Sequence, residues 1–129
     1  MKRKEHDDSC YRHIGNRTVC KVVNQEMDAF ARSKPGCAHQ EPTHGPAYWK
    51  EAFQKHGCDG MLAAITHSID DLKTGKCPPL FDEMDLIEAA GSLAERCPSR
   101  ALDLLRMLKA NSTELGSKFK SKKREPYKI

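Results

Sequence analysis

Apolar residues recur along this chain at steps of three and four, in runs cut short by proline and glycine. No other feature constrains the fold as much, because that spacing gathers side chains on one face of a helix and scatters them on a strand. Val19, Val23, Met27 and Phe30 make the first stripe, over about 17–33, with Asn16 or Thr18 to cap it and Ser33-Lys34-Pro35-Gly36 to end it. After a loop over 34–45, a short second helix over 47–56 presents Tyr48, Trp49, Ala52 and Phe53 and closes at Gly57. A third, over 59–74, aligns Leu62, Ile65, Ile69 and Leu72. Cys77-Pro78-Pro79 forces an extended connection. A fourth helix, over 81–96, carries Met84, Ile87, Ala90 and Leu93 or Ala94, and a fifth, over 99–110, carries Leu102, Leu105 and Leu108.

No stretch alternates with period two. The expected fold is therefore all-α, a compact bundle of four to five short helices with a disordered basic C-terminal tail. Val23, Phe30, Phe53, Ile65, Ile69, Ile87 and Leu105 are its expected core. The expected division is a polar segment over 1–15, a helical domain over 16–115 and a flexible basic tail over 116–129.

The 129 residues suit one domain, and the formal charge of +4 is unevenly placed. Lys118, Lys120, Lys122, Lys123, Arg124 and Lys128 against Glu125 put +5 at the end and leave the rest near −1. A basic arm is supported, rather than a basic surface. No run is apolar enough to cross a membrane, so no membrane partner is expected. The opening Met1-Lys2-Arg3-Lys4 has no apolar stretch behind it, which points to a cytoplasmic or nuclear protein over a secreted one. On that compartment, the six cysteines (Cys10, Cys20, Cys37, Cys58, Cys77, Cys97) read as free buried thiols rather than disulfides, with at most one bridge expected.

Cysteine and histidine crowd the first half: Cys10, His13, Cys20, Cys37, His39, His44, His56 and Cys58. Only Cys10-x-x-His13 has the spacing of a zinc knuckle and no second pair completes it, so no metal site and no cofactor are expected. Asp82, Glu83, Asp85 and Glu88 fall in the first turns of the fourth helix, where they oppose its dipole. No nucleophile–base pair or phosphate loop stands out, and an enzyme is not expected.

Residues 51–93 place Leu62-Ala63, then Ser68, then Lys76 and Pro79, then Gly91, at intervals that resemble the helix-turn-helix segments of phage-type repressors and activators. The resemblance covers a third of the chain. Thr66-His67 stands where that family has a turn glycine, and Asp70 and Asp71 follow. It implies a nucleic-acid-binding regulator, with Ser68, Lys73 and Lys76 as contacts. Lys118, Phe119, Lys120, Lys122, Lys123 and Arg124 would add an electrostatic arm, Phe119 stacking on a base.

The foremost reading is thus a small intracellular regulatory protein that binds nucleic acid. One alternative is a helical interaction or adaptor protein, paired with a protein partner or with itself, in which Tyr48, Trp49 and Phe53 form an exposed anchor. Another is a secreted, disulfide-stapled helical factor, favoured by the cysteine count and the sequons Asn16-Arg-Thr18 and Asn111-Ser-Thr113.

Overall fold

A computed structural model describes residues 2–29 and 36–123, with side chains through 120. Its described residues form six helices and no strand: α1 (Arg3–Ile14), α2 (Arg17–Met27), a 3-10 turn (Gly36–Gln40), α3 (Pro46–Thr74), α4 (Glu83–Arg96), α5 (Pro98–Ala110) and α6 (Ser112–Lys123). The all-α bundle is as expected, with more helices than expected. None is long and apolar enough to cross a membrane.

The central element is α3, against which α1, α2, α4, α5 and α6 all pack. It joins the two helices expected over 47–56 and 59–74. Gly57 lies within it at φ 73°, a backbone state open to glycine at low cost, and the axis kinks there rather than ending. Gly60 lets the two parts meet closely, since a Cβ there would stand 2.5 Å from the Ala52 carbonyl oxygen. Every residue from 60 to 72 is buried. A helix covered on all sides is ordinarily apolar all round. This one carries Thr66, His67, Ser68, Asp70 and Asp71 inside.

Around it, α2 is capped by Asn16, whose side-chain oxygen accepts the Val19 N–H at 3.1 Å, and it buries Cys20, Val23 and Met27. Asp82 and Asp85 form a reciprocal capping box at the start of α4, at 2.9 and 3.0 Å. The inward row of α4 is Leu86, Ala89 and Leu93, and that of α5 is Ala101, Leu104 and Met107. Ile87 and Leu105, expected in the core, are exposed. Each of these helices has two apolar rows, and the neighbouring helices select the other one. Val23, Ile65 and Ile69 are buried as expected and Phe53 is partly buried, while Phe30 lies outside the described residues.

Two helices occupy segments expected to be irregular. The inward face of α1 is largely polar, His6 and Ser9 beside Cys10 and Ile14, which hides its period. Among its described side chains α6 buries two, Leu115 and Phe119, one turn apart. Phe119 packs edge-on to Phe81, centroids 5.8 Å apart, and Phe81 to Trp49 at 5.1 Å. The free-thiol expectation is also corrected. Cys10–Cys20 ties α1 to α2, Cys37–Cys77 ties the 3-10 turn to the segment after α3, and Cys58–Cys97 ties α3 to the α4–α5 junction. Their Cα separations of 5.8, 5.5 and 6.6 Å suit disulfides, and cysteines distant in sequence meet because the helices that carry them pack side by side.

Candidate metal centre

The polar residues of α3 meet partners from three other segments. His67 and Asp71, one turn apart, face the same way. His6 reaches them from α1, Asp28 from the end of α2, and His44 from the residue before Gly45, which caps α3. His44 Nε2 lies 2.8 Å from Asp71 Oδ2, and His6 Nε2 lies 3.0 Å from Asp71 Oδ1. His67 Nε2 stands between two carboxylates, 3.3 Å from Asp71 Oδ2 and 3.3 Å from Asp28 Oδ1. The His6 and His67 rings stack at 3.6 Å with planes 8° apart, and His44 meets His67 edge-on at 5.0 Å. His6, His44, His67 and Asp71 are buried, whereas the Asp28 side chain is 23% exposed and pairs with Arg3 at 3.1 Å.

The surrounding hydrogen bonds fix which ring nitrogens carry hydrogen. Asn24 Nδ2 donates to Asp7 Oδ1 at 2.6 Å, so Asn24 Oδ1 faces His67 and accepts from its Nδ1–H at 2.8 Å. Thr43 donates its hydroxyl to the Met27 carbonyl at 3.1 Å, so its oxygen accepts from His44 Nδ1–H at 3.0 Å. Neutral His67 therefore turns a bare Nε2 lone pair on carboxylate oxygens. His44 Nε2 is instead hydrogen-bonded to Asp71 Oδ2 at 2.8 Å, where an acceptor-only carboxylate calls for a proton or a cation on the nitrogen. Neither His6 nitrogen nor His67 Nε2 has an aligned hydrogen bond, close as the carboxylates are. Lone pairs this close to anions require positive charge between them, supplied by added protons or by a metal ion.

The side chains respond accordingly. Burial pushes the Asp71 carboxyl up, but His44, His6 and His67 outweigh it and hold the group far below the usual carboxylate range. Burial likewise pushes Asp28 up, and His67 with Arg3 brings it below its ordinary value. Burial lowers His44. At His67 burial also acts downward, but Asp28 and Asp71 overcome it and raise the imidazole.

The same geometry fits a metal. A tetrahedral ion with ligands about 2.0–2.1 Å away has ligand–ligand edges of about 3.3 Å. The nitrogen–oxygen separations at His67 are 3.3 Å, matching that edge, while His44 and His6 stand closer to Asp71, at 2.8 and 3.0 Å. The imidazoles of His44 and His67 bring no charge and the carboxylates of Asp28 and Asp71 bring two negative ones, which a divalent cation balances. His6, stacked flat on His67 at 3.6 Å, cannot aim its lone pair at the same ion. The donor atoms of His44, His67 and Asp71 lie within 4.8 Å of one another, as do those of His6, Asp28 and His67.

Of the histidines and cysteines crowded in the first half of the sequence, only His44 belongs to this centre. The cysteines are in disulfides, and His56 faces Glu26 at 3.4 Å. His6, Asp28, His67 and Asp71 went unremarked. One signal was present, a histidine and a carboxylate four residues apart on one expected helix.

The nucleic-acid candidates divide. Ser68 is buried, donating to the Ala64 carbonyl and accepting from Trp49 Nε1 at 3.0 Å. Phe119 is buried against Phe81 and so is not free to stack on a base. Lys118 donates to the Gly75 carbonyl at 3.2 Å, which brings it to the end of α3, where Lys73 lies in the last turn and Lys76 follows the cap. Lys73 pairs with Glu114 at 3.9 Å, and Lys76 and Lys120 are exposed. Lys122 and Lys123 belong to the last turn of α6, and Arg124 lies outside the described residues. Thr66 and His67, at the turn position of the helix-turn-helix resemblance, lie inside α3. Tyr48 and Trp49 are buried, correcting the exposed anchor expected with Phe53, because they pack on the core side of α3. No family model, curated protein or solved structure matches the chain.

Proposed function

We propose that this chain is a disulfide-stapled helical protein of an oxidising compartment that binds one zinc-class divalent cation at the centre of its bundle. The carrying observation is the pair of imidazoles, His44 and His67, whose Nδ1 atoms are committed to Thr43 and Asn24 while their Nε2 atoms face the carboxylates of Asp71 and Asp28. Mixed imidazole and carboxylate donors favour zinc and its transition-metal neighbours, whereas calcium and magnesium prefer oxygen alone. The ligands are almost wholly buried and leave no face for a substrate, which supports holding the ion over using it in catalysis. Asp28, at the partly exposed edge beside Arg3, is the route for the ion. Three disulfides support the oxidising compartment.

The test is isothermal titration of chelator-treated protein with zinc, calcium and magnesium. One zinc per chain is expected, with no calcium or magnesium binding, and His67→Gln should remove the site while keeping the helical circular dichroism. Folded protein that takes up no zinc would refute the reading. A second reading, the basic arm on nucleic acid, is favoured by the meeting of Lys73, Lys76 and Lys118 at the end of α3. It calls for duplex binding that weakens steeply with salt, and for a flatter slope when Lys120, Lys122, Lys123 and Arg124 are replaced by glutamine with Phe119 kept.

A further inference from the structure

We infer that α4 and α5 form a self-complementary face on which two copies of this chain pair. Both helices hold an apolar row that the core does not use. On α4 it is Met84 (60% exposed), Ile87 (59%), Gly91 and Ala94, and on α5 it is Leu102 (51%) and Leu105 (50%). The rows flank one seam. Ile87 and Leu108 line a common groove with Leu86, Leu115 and Phe119, and Leu105 stands one turn before Leu108. The exposed apolar side chains are thus gathered on two helices that pack side by side rather than scattered over the surface.

Charge along these rows selects their occupant. One turn beyond Met84 and Gly91 stand Glu88 and Glu95, exposed, and one turn beyond Leu102 and Leu105 stand Arg106 and Lys109, exposed, Arg106 within 3.4 Å of Asp103 on its own helix. The α4 side is thus acidic and the α5 side basic. A two-fold axis along the seam lays α4 of one copy on α5 of the other, so the acidic edge meets the basic edge twice while the apolar rows cover each other. The other two-fold choice, α4 on α4, sets carboxylate against carboxylate and is disfavoured. The face therefore complements itself in one arrangement, which a second copy satisfies.

Sedimentation velocity across a concentration series, on the full oxidised chain with and without zinc, reads the pairing. The parent should shift from monomer to dimer as concentration rises. Ile87→Glu and Leu105→Glu, at positions exposed in the single chain, should remain monomeric with unchanged helical circular dichroism. Reversing one edge (Glu88→Lys with Glu95→Lys) should weaken the dimer by roughly tenfold or more. Adding Arg106→Glu and Lys109→Glu should restore it, a rescue that a general loss of stability cannot produce. A parent that stays monomeric into the high micromolar range, a dimer indifferent to Ile87→Glu, or failure of the four-fold reversal to restore pairing would each overturn the inference.

Discussion

Asp71 is within 3.3 Å of all three imidazoles of the centre, so replacing it tests the polar core and the metal reading together. Asp71→Asn keeps the side chain's size and removes its charge, leaving the histidines without their shared anion. Breaking a buried charge pair in this way costs about 3–5 kcal/mol. The unfolding entropy of a 129-residue chain, at about 2.1 cal/mol/K per residue, converts each kcal/mol into a melting shift of about 4 °C. In the presence of a chelator the variant should therefore melt about 11–18 °C below the parent. Zinc at a hundred times its dissociation constant should stabilise the parent by about 2.7 kcal/mol, a rise of about 10 °C. The variant, short of a ligand, should gain little of that rise. Differential scanning calorimetry of both proteins, with chelator and with zinc, gives both numbers. If Asn at position 71 melts within a couple of degrees of the parent and gains the full zinc shift, Asp71 neither neutralises the histidines nor holds the ion.

Two further predictions follow from the same structure. Phe119→Ala removes the ring that seats α6 on Phe81 and should cost about 3–5 kcal/mol in chemical denaturation, whereas an unchanged midpoint would mean that α6 does not dock. Asp71 and Asp28 have carboxyl groups held below their unfolded value of about 4, so their stabilisation is present above that pH and is lost as pH falls through the folded values. His67, raised in the fold, contributes below about pH 6.5 and loses its contribution as pH rises through its folded value. The metal-free protein should thus be most stable between these limits and lose stability steadily below pH 4, and a denaturation midpoint level from pH 6 to pH 3 would contradict the assignment.

Much of the bundle is legible in the residues. The stripes of α2 and α3, the breaks at the prolines and the cap at Asn16 follow from spacing and backbone chemistry alone, whereas Asp82, expected inside the first turn of its helix, proves to be the cap. Where two apolar rows run along one helix, as on α4 and α5, spacing shows that a helix forms and leaves open which row faces inward, because that depends on neighbours remote in sequence. α1 was hidden for a related reason, since its buried side includes His6 and Ser9, and His6 is held inside by Asp71 and His67 of α3, remote in sequence. The centre itself was hard to read because its side chains are spread from position 6 to position 71, with the His67–Asp71 spacing as its one local mark. The cysteines misled through compartment: the short basic opening of the sequence suggested reducing surroundings, whereas pairing depends on which helices lie side by side.

The three disulfides divide the chain unevenly. Cys37–Cys77 and Cys58–Cys97 interleave, so a single backbone cut anywhere from 37 to 97 leaves both pieces covalently joined, and Cys10–Cys20 does the same for its own short loop. No bridge spans the stretch between Cys20 and Cys37. A cut there, beyond Asp28, frees an N-terminal piece that carries His6 and Asp28 from a remainder that carries His44, His67 and Asp71. The proposed cation would sit astride that seam, a removable cross-link at the only interval among the cysteines that sulfur leaves open.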